Sequence, residues 1–320
     1  MILLVTGGGG FLGSYVVRDL LKDGHEVVCF DLVAEPTPLM KELIPADLMS
    51  RLTMLKSNIT DSAAVSETVK KYKPDMIVHF SGVMPPVTEE NVPLAIQVNI
   101  GGTNNIFEAA RVYKVKRVIW SSSNSVLGKA GPAFGKNVLD DKLGIYGPGN
   151  FYGSTKVLCE LMANQYIKNF GMDIISIRYP RVYGVGKNVG GGAAFTELMA
   201  NVALEKPIVI TGGDTSWDYL YIEDGSLATL KACTVPSTKT KVFNLNDGNN
   251  CNGYQLAEIL KEINPKAQVT VQPGKAQYDF PLVDASAVTR ELGFTPRYSL
   301  KEGLRMAINY FRKQNHLTPF

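Results

Sequence analysis

The chain has 320 residues, 45% hydrophobic and 20% charged, and 33 basic against 30 acidic residues leave a net charge of +3. This is the balance of a globular protein with a sizeable core, and it excludes intrinsic disorder, collagen-like repeats and solenoids. Basic residues are spread without a run, which argues against a nucleic-acid partner, and no apolar stretch approaches the roughly 20 residues that cross a bilayer.

Cysteines at 29, 159, 233 and 251 have no CxxC spacing and no His pair nearby, so neither a zinc site nor a disulfide framework is expected and no metal is called for. Cys159 reads as a core or interface residue, since it has no basic partner in sequence. The apolar opening from Met1 to Thr6 is short for a signal segment and runs into glycines. It reads as a first strand, and cytoplasmic residence is the default expectation.

Along the chain, short apolar runs rich in β-branched residues alternate with helical patterns. Strands are predicted at Ile2 to Thr6, Glu26 to Asp31, Leu52 to Lys56, Met76 to Phe80, Arg117 to Ser121 and Ile174 to Arg178. Strands separated by amphipathic helices specify βαβ units. The fold class is therefore α/β, a Rossmann-type doubly wound parallel sheet with a smaller C-terminal substrate-binding lobe. Between the first two strands Leu12, Val16, Val17, Leu20 and Leu21 recur at helical spacing, with Gly24 as the stop. After about residue 180 the pattern loosens into a glycine-rich loop, Gly184 to Gly192, and a helix from about Ala194 to Leu204. Short strands near Ile208 and Val242 and helices Tyr254 to Ile263 and Leu300 to Gln314 follow. The expected division is a nucleotide-binding domain over 1–180 and a mainly substrate-binding lobe over 181–320, part of which returns to the first body.

The stretch Thr6-Gly-Gly-Gly-Gly-Phe-Leu-Gly13 lies between a predicted strand and a predicted helix, the context that a dinucleotide fingerprint requires. Gly8, Gly10 and Gly13 satisfy one glycine spacing; Gly7, Gly10 and Gly13 satisfy the other. Glycines there allow a tight turn and close approach of backbone to a pyrophosphate at the helix N-terminus, where Phe11 and Leu12 lie. By itself such a cluster can be a plain βα turn. About twenty residues on, Asp31 ends the second strand, where a carboxylate can bind both ribose hydroxyls, and no nearby arginine follows to neutralise a 2′-phosphate. The pair of features predicts NAD as cofactor.

Tyr152-Gly-Ser-Thr-Lys156 opens a segment, Tyr152 to Asn169, that reads as a helix. Residues four apart share a helix face, so phenol and ammonium can enter one site, and a nearby cation is expected to lower the phenol pKa toward neutrality. His79, beside Phe80, reads as a packed strand-end residue and not a base. With the strand-end run Trp120-Ser-Ser-Ser-Asn-Ser-Val-Leu-Gly128 added, the sequence resembles the extended short-chain dehydrogenase/reductase family, the NAD-dependent epimerase/dehydratases. Further motifs carry the resemblance across nearly the whole chain: Asn99 to Ala110, Arg178-Tyr-Pro-Arg-Val-Tyr-Gly184, Asp218 to Asp224, and Glu291-Leu-Gly-Phe-Thr-Pro296.

The resemblance implies roles position by position. Ser123 would hydrogen-bond the substrate oxygen, with Ser125 beside it on the substrate side. Tyr152 would exchange the proton, and Lys156 would bind the nicotinamide ribose. Asn99 would hold the architecture of the site, Asn58-Ile59 would cradle the adenine, and Ser81-Gly82 would run along the cofactor. A homodimer through the helix carrying Tyr152 and the helix after Asn99 is also implied.

Two departures from the family bear on substrate. Where many nucleotide-sugar enzymes of the family have asparagine, this chain has Arg181; where they have an arginine that contacts a diphosphate, it has Trp217. Asn124-Ser125 also replaces the Asp-Glu pair of the dehydratases, which argues against 4,6-dehydration. Arg181 is evenly balanced between a surface ion pair and a donor fork for a carboxylate or vicinal hydroxyls. Trp217 reads first as packing within the smaller lobe and second as a surface on which a substrate stacks. The leading expectation is an NAD-dependent oxidoreductase acting on a carbinol or carbonyl carbon of a small hydroxylated or sugar-like substrate. The alternative is a nucleotide-sugar epimerase that oxidises and re-reduces one carbon, as UDP-sugar 4-epimerases do. A non-catalytic NAD-sensing scaffold fits poorly with an intact Ser-Tyr-Lys set.

Overall fold

In the computed structural model, residues 1–127, 149–187, 193–275 and 283–320 are described. The tail of the expected glycine-rich loop, 188–192, and Gly128 lie outside them. Twelve strands occur among the described residues: β1 (Ile2–Thr6), β2 (Glu26–Asp31), β3 (Leu52–Lys56), β4 (Met76–His79), β5 (Arg117–Ser123), β6 (Ile174–Tyr179), β7 (Arg181–Tyr183), β8 (Ile208–Ile210), β9 (Trp217–Tyr221), β10 (Val242–Asn244), β11 (Asn250–Cys251) and β12 (Val269–Val271).

Seven of them form one sheet in the order β3-β2-β1-β4-β5-β6-β10, every neighbouring pair parallel. The order reverses between β1 and β4, which is the switch point where open α/β sheets bind ligands at their strand C-termini. Parallel strands need crossover helices, which cover both faces; this is why the central strands are apolar throughout instead of alternating. Leu3, Val5, Val78 and Ile119 belong to the core on one face, and Leu4, Ile77, Val118 and Trp120 to the core on the other. The seventh strand, β10, comes from the second half of the chain. The helix Ile222–Thr234 also packs on the first helix, Phe11–Lys22. There Arg18 donates to Glu223 at 2.8 Å.

Two small sheets complete the molecule. β9 lies between β7, parallel, and β11, antiparallel, while β8 and β12 pair in parallel. Chain direction places these elements above the end of β6: Ser123 is the register partner of Tyr179, and Arg181 begins β7 two residues later, beside Tyr219 of β9.

The strand ends differ from the expectation by one or two residues. β5 runs on through Ser123, so the polar Ser121-Ser122-Ser123 run is strand and not turn. Its hydroxyls are bonded inward, which offsets the poor strand tendency of serine. The helix expected from Tyr152 begins at Phe151, where the Asn150 side chain accepts from the Gly153 N–H at 2.8 Å.

His79 is fully buried at the end of β4. Its ring is hydrogen-bonded to the hydroxyls of Thr6 (2.6 Å) and Thr103 (3.0 Å). Burial, and then the Lys156 charge, lower its pKa from 6.5 to about 3. The native state thus refuses a proton that the unfolded chain binds below pH 6.5, so stability falls with acidification between those values. Each pH unit in that window removes about 1.4 kcal/mol through this one group. Urea denaturation at pH 7, 6 and 5 is expected to show this slope in the parent and its loss in His79→Asn.

Candidate active site

The glycine loop after β1 is as tightly closed as its spacing implies. Gly7 has φ +69°, and a Cβ there would stand 2.8 Å from the Ser81 nitrogen. A Cβ on Gly13 would stand 2.2 Å from the Gly7 carbonyl oxygen, so no larger residue fits where the helix crosses the loop. The Gly10 N–H donates to the Gly7 carbonyl at 3.1 Å, and the helix begins at Phe11, with Leu12 next. Its first N–H groups face the end of the sheet at the switch point, and the macrodipole there favours an anion. A dinucleotide pyrophosphate fits this cradle.

Asp31 is partly exposed at the end of β2. It accepts from the Gly9 N–H at 2.9 Å and the Leu32 N–H at 2.7 Å, which fixes the carboxylate beside the loop with room for further donors. Across the loop, Gly82 abuts two other site residues. A Cβ built on it would lie 3.1 Å from Asn99 Oδ1 and 4.0 Å from Lys156 Nζ. At the adenine end, Asn58 Oδ1 closes a turn onto the Thr60 N–H at 3.0 Å. Ile59 is buried against Gly102 instead of standing open to a ring.

Asn99 lies in a stretch of wider π-helical turns, Ile96–Gly102, that no sequence signal marked. Its side chain accepts from the Val83 N–H (2.8 Å) and donates to the Val83 carbonyl (3.0 Å) and the Thr155 hydroxyl (3.2 Å). Every one of these partners is protein. Asn99 therefore ties the Ser81–Val83 strand-end loop to the helix carrying Tyr152, a positioning role.

That helix, Phe151–Phe170, and the end of β5 together carry Ser123, Tyr152 and Lys156. The Ser123 hydroxyl donates to Ser125 Oγ at 3.1 Å and accepts from the Ser125 N–H at 3.1 Å, and it is close enough to the Tyr152 phenol to favour its ionised form. Lys156 is 5% exposed, and its ammonium donates to the Ser121 carbonyl at 2.8 Å. The ammonium lies 5.1 Å from the Trp120 ring centre and 5.6 Å from that of Tyr152.

This corrects the expectation of a phenol near neutrality. Burial raises the Tyr152 pKa to about 12, opposed by the Ser123 hydroxyl. Desolvation also lowers that of Lys156 to about 8, opposed by Cys159 and Glu160. In this state Tyr152 holds its proton.

Two acidic residues that sequence reasoning missed position the helix. Glu89 accepts from the Phe151 and Tyr152 N–H groups, each at 3.2 Å, and so places a negative charge on the helix N-terminus. Glu160 accepts from Arg178 at 2.9 and 2.7 Å and also from the Ser122 hydroxyl. No sequence signal pointed to Glu89. Glu160 had one: it lies four residues after Lys156 and eight after Tyr152, on the same helix face.

Arg181 and Trp217 are brought together, with Trp217 packed against the core as its first reading expected. The guanidinium carbon lies 3.4 Å from the indole centre and 5.9 Å from that of Tyr219. One indole face is thus covered by the guanidinium and closed to a substrate. Burial lowers the Arg181 pKa from its ordinary value. Arg181, Trp217 and Tyr219 line a pocket of about 410 Å³ with Phe195, Glu197 and Asn201.

A sheet with its glycine cradle at the switch point and a Ser-Tyr-Lys cluster on the neighbouring strand end is matched by the family model for the NAD dependent epimerase/dehydratase family over residues 3–246. The chain belongs to this family. It is an NAD-dependent enzyme of the extended short-chain dehydrogenase/reductase type, with a Rossmann-type sheet. The chain is 28% identical to the UDP-glucuronate 4-epimerase of Thermodesulfobacterium geofontis, covering 98% of this chain and 97% of that protein. It is 27% identical to the mitochondrial L-threonine 3-dehydrogenase of Bos taurus, covering 98% and 84%. A solved structure of the UDP-glucuronic acid 4-epimerase of Bacillus cereus, in complex with UDP-glucuronic acid and NAD, superposes with a TM-score of 0.81 at 27% identity. There the match covers 98% of this chain and 100% of that one.

The catalytic assignment has a direct test. Tyr152→Phe is expected to lower turnover by roughly 10²-fold or more, the usual scale of a positioned general acid/base, while calorimetry shows NAD binding unchanged. Parent-like turnover in a folded variant would remove Tyr152 from its role.

Proposed function

We propose that this enzyme catalyses net oxidation or reduction at a carbinol or carbonyl carbon of a small hydroxylated substrate that carries a carboxylate. The observation that carries the reading is Arg181: a planar donor fork stacked on Trp217, lining a pocket of about 410 Å³, with no carboxylate partner among the described residues. A guanidinium so held suits bidentate binding of a carboxylate. The names of two relatives support the same chemistry, since glucuronate and threonine are both carboxylates.

In the oxidative direction Tyr152, as the phenolate, would take the carbinol O–H proton while the carbon loses its hydrogen as hydride and becomes a carbonyl; in the reductive direction the neutral phenol would return that proton. NAD held in the glycine cradle supplies the two-electron acceptor. Ser123 orients the reacting oxygen. Lys156 keeps a positive charge beside the phenol below about pH 8, which favours the phenolate. Phe11 and Leu12 N–H groups would face the pyrophosphate and Asp31 the adenosine ribose. Asn58, Ser81 and Gly82 would line the cofactor, with Ile59 packed behind them on Gly102, and Ser125 would line the substrate.

The division into a nucleotide-binding domain over 1–180 and a mainly substrate-binding part over 181–320 follows this reading. A homodimer in the cytoplasm is part of it. Val112, Phe151, Leu158, Leu161 and Phe170 expose apolar surface on the Tyr152 helix and the helix Thr103–Val112 that follows Asn99, which supports a partner surface there.

The second reading, nucleotide-sugar epimerisation, is favoured by the relatives named as UDP-sugar 4-epimerases. A panel of hydroxy acids, uronates, amino alcohols and neutral sugars, assayed for NAD reduction, separates the two. Carboxylated substrates are expected to release NADH stoichiometrically, and Arg181→Met is expected to raise their KM at least tenfold. Interconversion of a UDP-sugar with its epimer, tight UDP binding and no net NADH would favour the epimerase.

A further inference from the structure

Ser123 is held by the turn that follows it, and that turn has a support of its own. β5 ends at Ser123, and the chain passes at once into a short 3₁₀ turn, Asn124–Leu127. Asn124 stands between Ser123 and Ser125, whose N–H donates to the Ser123 hydroxyl, so whatever fixes Asn124 fixes how the two serines meet. The Asn124 side chain is buried and reaches a residue 94 positions away: Nδ2 donates to Oδ2 of the buried Asp218, on β9, at 3.4 Å. Strand neighbours alternate, so Asp218 leaves β9 on the face opposite Trp217 and Tyr219. Those two line the Arg181 pocket, while Asp218 turns to the serine turn.

As a carboxylate meeting an amide, the pair is incomplete. Asn124 Oδ1 and Asp218 Oδ1 are both shielded from solvent, and neither has a hydrogen-bond partner among the described residues. If Asp218 is ionised, both atoms can only accept, and a buried acceptor left unpaired is costly, more so when it carries charge. A proton on Asp218 Oδ1 turns one of these acceptors into the donor that the other lacks. Two planar groups then meet through two hydrogen bonds instead of one. The surroundings favour that proton. Burial, and after it the Asp247 carboxylate, hold the Asp218 carboxyl well above the usual carboxylate range, opposed by the Asp247 backbone and the Asn124 amide. No lysine or arginine among the described residues is one of the groups that act on it.

We propose that Asp218 carries a proton on Oδ1 and donates it to Asn124 Oδ1, closing an acid–amide pair that holds the serine turn and so positions the Ser123 hydroxyl for reaction. Asp218 is thereby a positioning residue that acts through Asn124. The proposal rests on Ser123 as the hydroxyl that meets the substrate oxygen. It also gives β9 two duties, one on each face: a wall of the Arg181 pocket and a brace for the strand end that carries Ser123.

Infrared difference spectroscopy of the intact protein at neutral pH, parent minus Asp218→Asn, reads the proton without a substrate. The expected result is a protonated-carboxyl C=O band that the variant lacks and that moves to higher frequency in Asn124→Ala, where the carboxyl loses the amide. Asp247→Asn, run in parallel, is expected to keep the band. Carboxylate stretches in its place show an ionised Asp218 served by water and overturn the proposal. Turnover then tests the positioning, with the substrate that the NAD-reduction panel selects. Asp218→Ala and Asn124→Ala are each expected to lower kcat roughly tenfold or more with NAD affinity unchanged, since a small displacement of a reacting group can cost about 10²-fold. Asp218→Asn, whose amide supplies the same donor and acceptor, is expected to recover most of that loss. Parent-like kcat in a folded Asp218→Ala or Asn124→Ala variant overturns the positioning role. Ser123→Ala keeps the two readings apart: parent-like turnover there removes Ser123 from the reaction, and the positioning role with it, whatever the infrared band shows.

Discussion

The buried ion pair between Glu160 and Arg178 is the contact on which the catalytic geometry depends. Both side chains are shielded from solvent, at 2% and 0% exposure, and their bonds extend to Ser122 on β5 and Asn244 on β10. One network therefore joins the helix of Tyr152 and Lys156 to three adjacent strands, β5, β6 and β10. Losing one partner of such a pair leaves an uncompensated buried charge, at a cost of about 3–5 kcal/mol, far more than a surface ion pair supplies. The helix cannot slide or rotate without breaking it. Ser122 and Ser123 point to opposite sides of β5, as strand neighbours must, so one hydroxyl anchors the helix at Glu160 while the next is held by Ser125.

Around this anchor the site is built from restrained groups that hold charge in low-dielectric surroundings. Asn99 spends its amide on protein partners, Lys156 is held by a carbonyl, and Ser123 is held by Ser125. Burial pushes Tyr152 up to about 12 and Lys156 down to about 8, so each group resists the charge that the reaction asks of it. Loss of the Lys156 proton above about pH 8 makes the phenolate harder to form. The positively charged nicotinamide ring of oxidised NAD would shift this balance the other way, because an opposite charge nearby favours the ionised phenol.

Much of this was legible in the sequence, and for identifiable reasons. The Rossmann order follows from alternating apolar runs and helical periodicity, and the glycine cluster gained its meaning from Asp31 about twenty residues on; the structure adds that only glycine fits where Gly13 meets Gly7. Tyr152 and Lys156 declared themselves by i, i+4 spacing, and Arg181 and Trp217 by departing from a family pattern. What stayed hidden depends on long-range contacts. Glu89 caps a helix whose first residue lies 62 positions later, and the indole of Trp217 is covered by an arginine from a neighbouring strand. The sequence reading of the tyrosine pKa failed because it counted the ammonium and not the burial. Periodicity reports which residues share a face, whereas a pKa is set by everything that surrounds them.

The central claim is that Tyr152 is the proton-handling group and is kept protonated by burial until a cation binds beside it. Carbon-13 NMR of protein labelled at the tyrosine ζ carbon, with Tyr152→Phe to assign the signal, reads its ionisation directly. The account predicts that the Tyr152 signal stays in its neutral form up to pH 10 in the free protein and ionises at lower pH once NAD is added. Ionisation near neutrality without NAD, or a titration that NAD leaves unmoved, would contradict it.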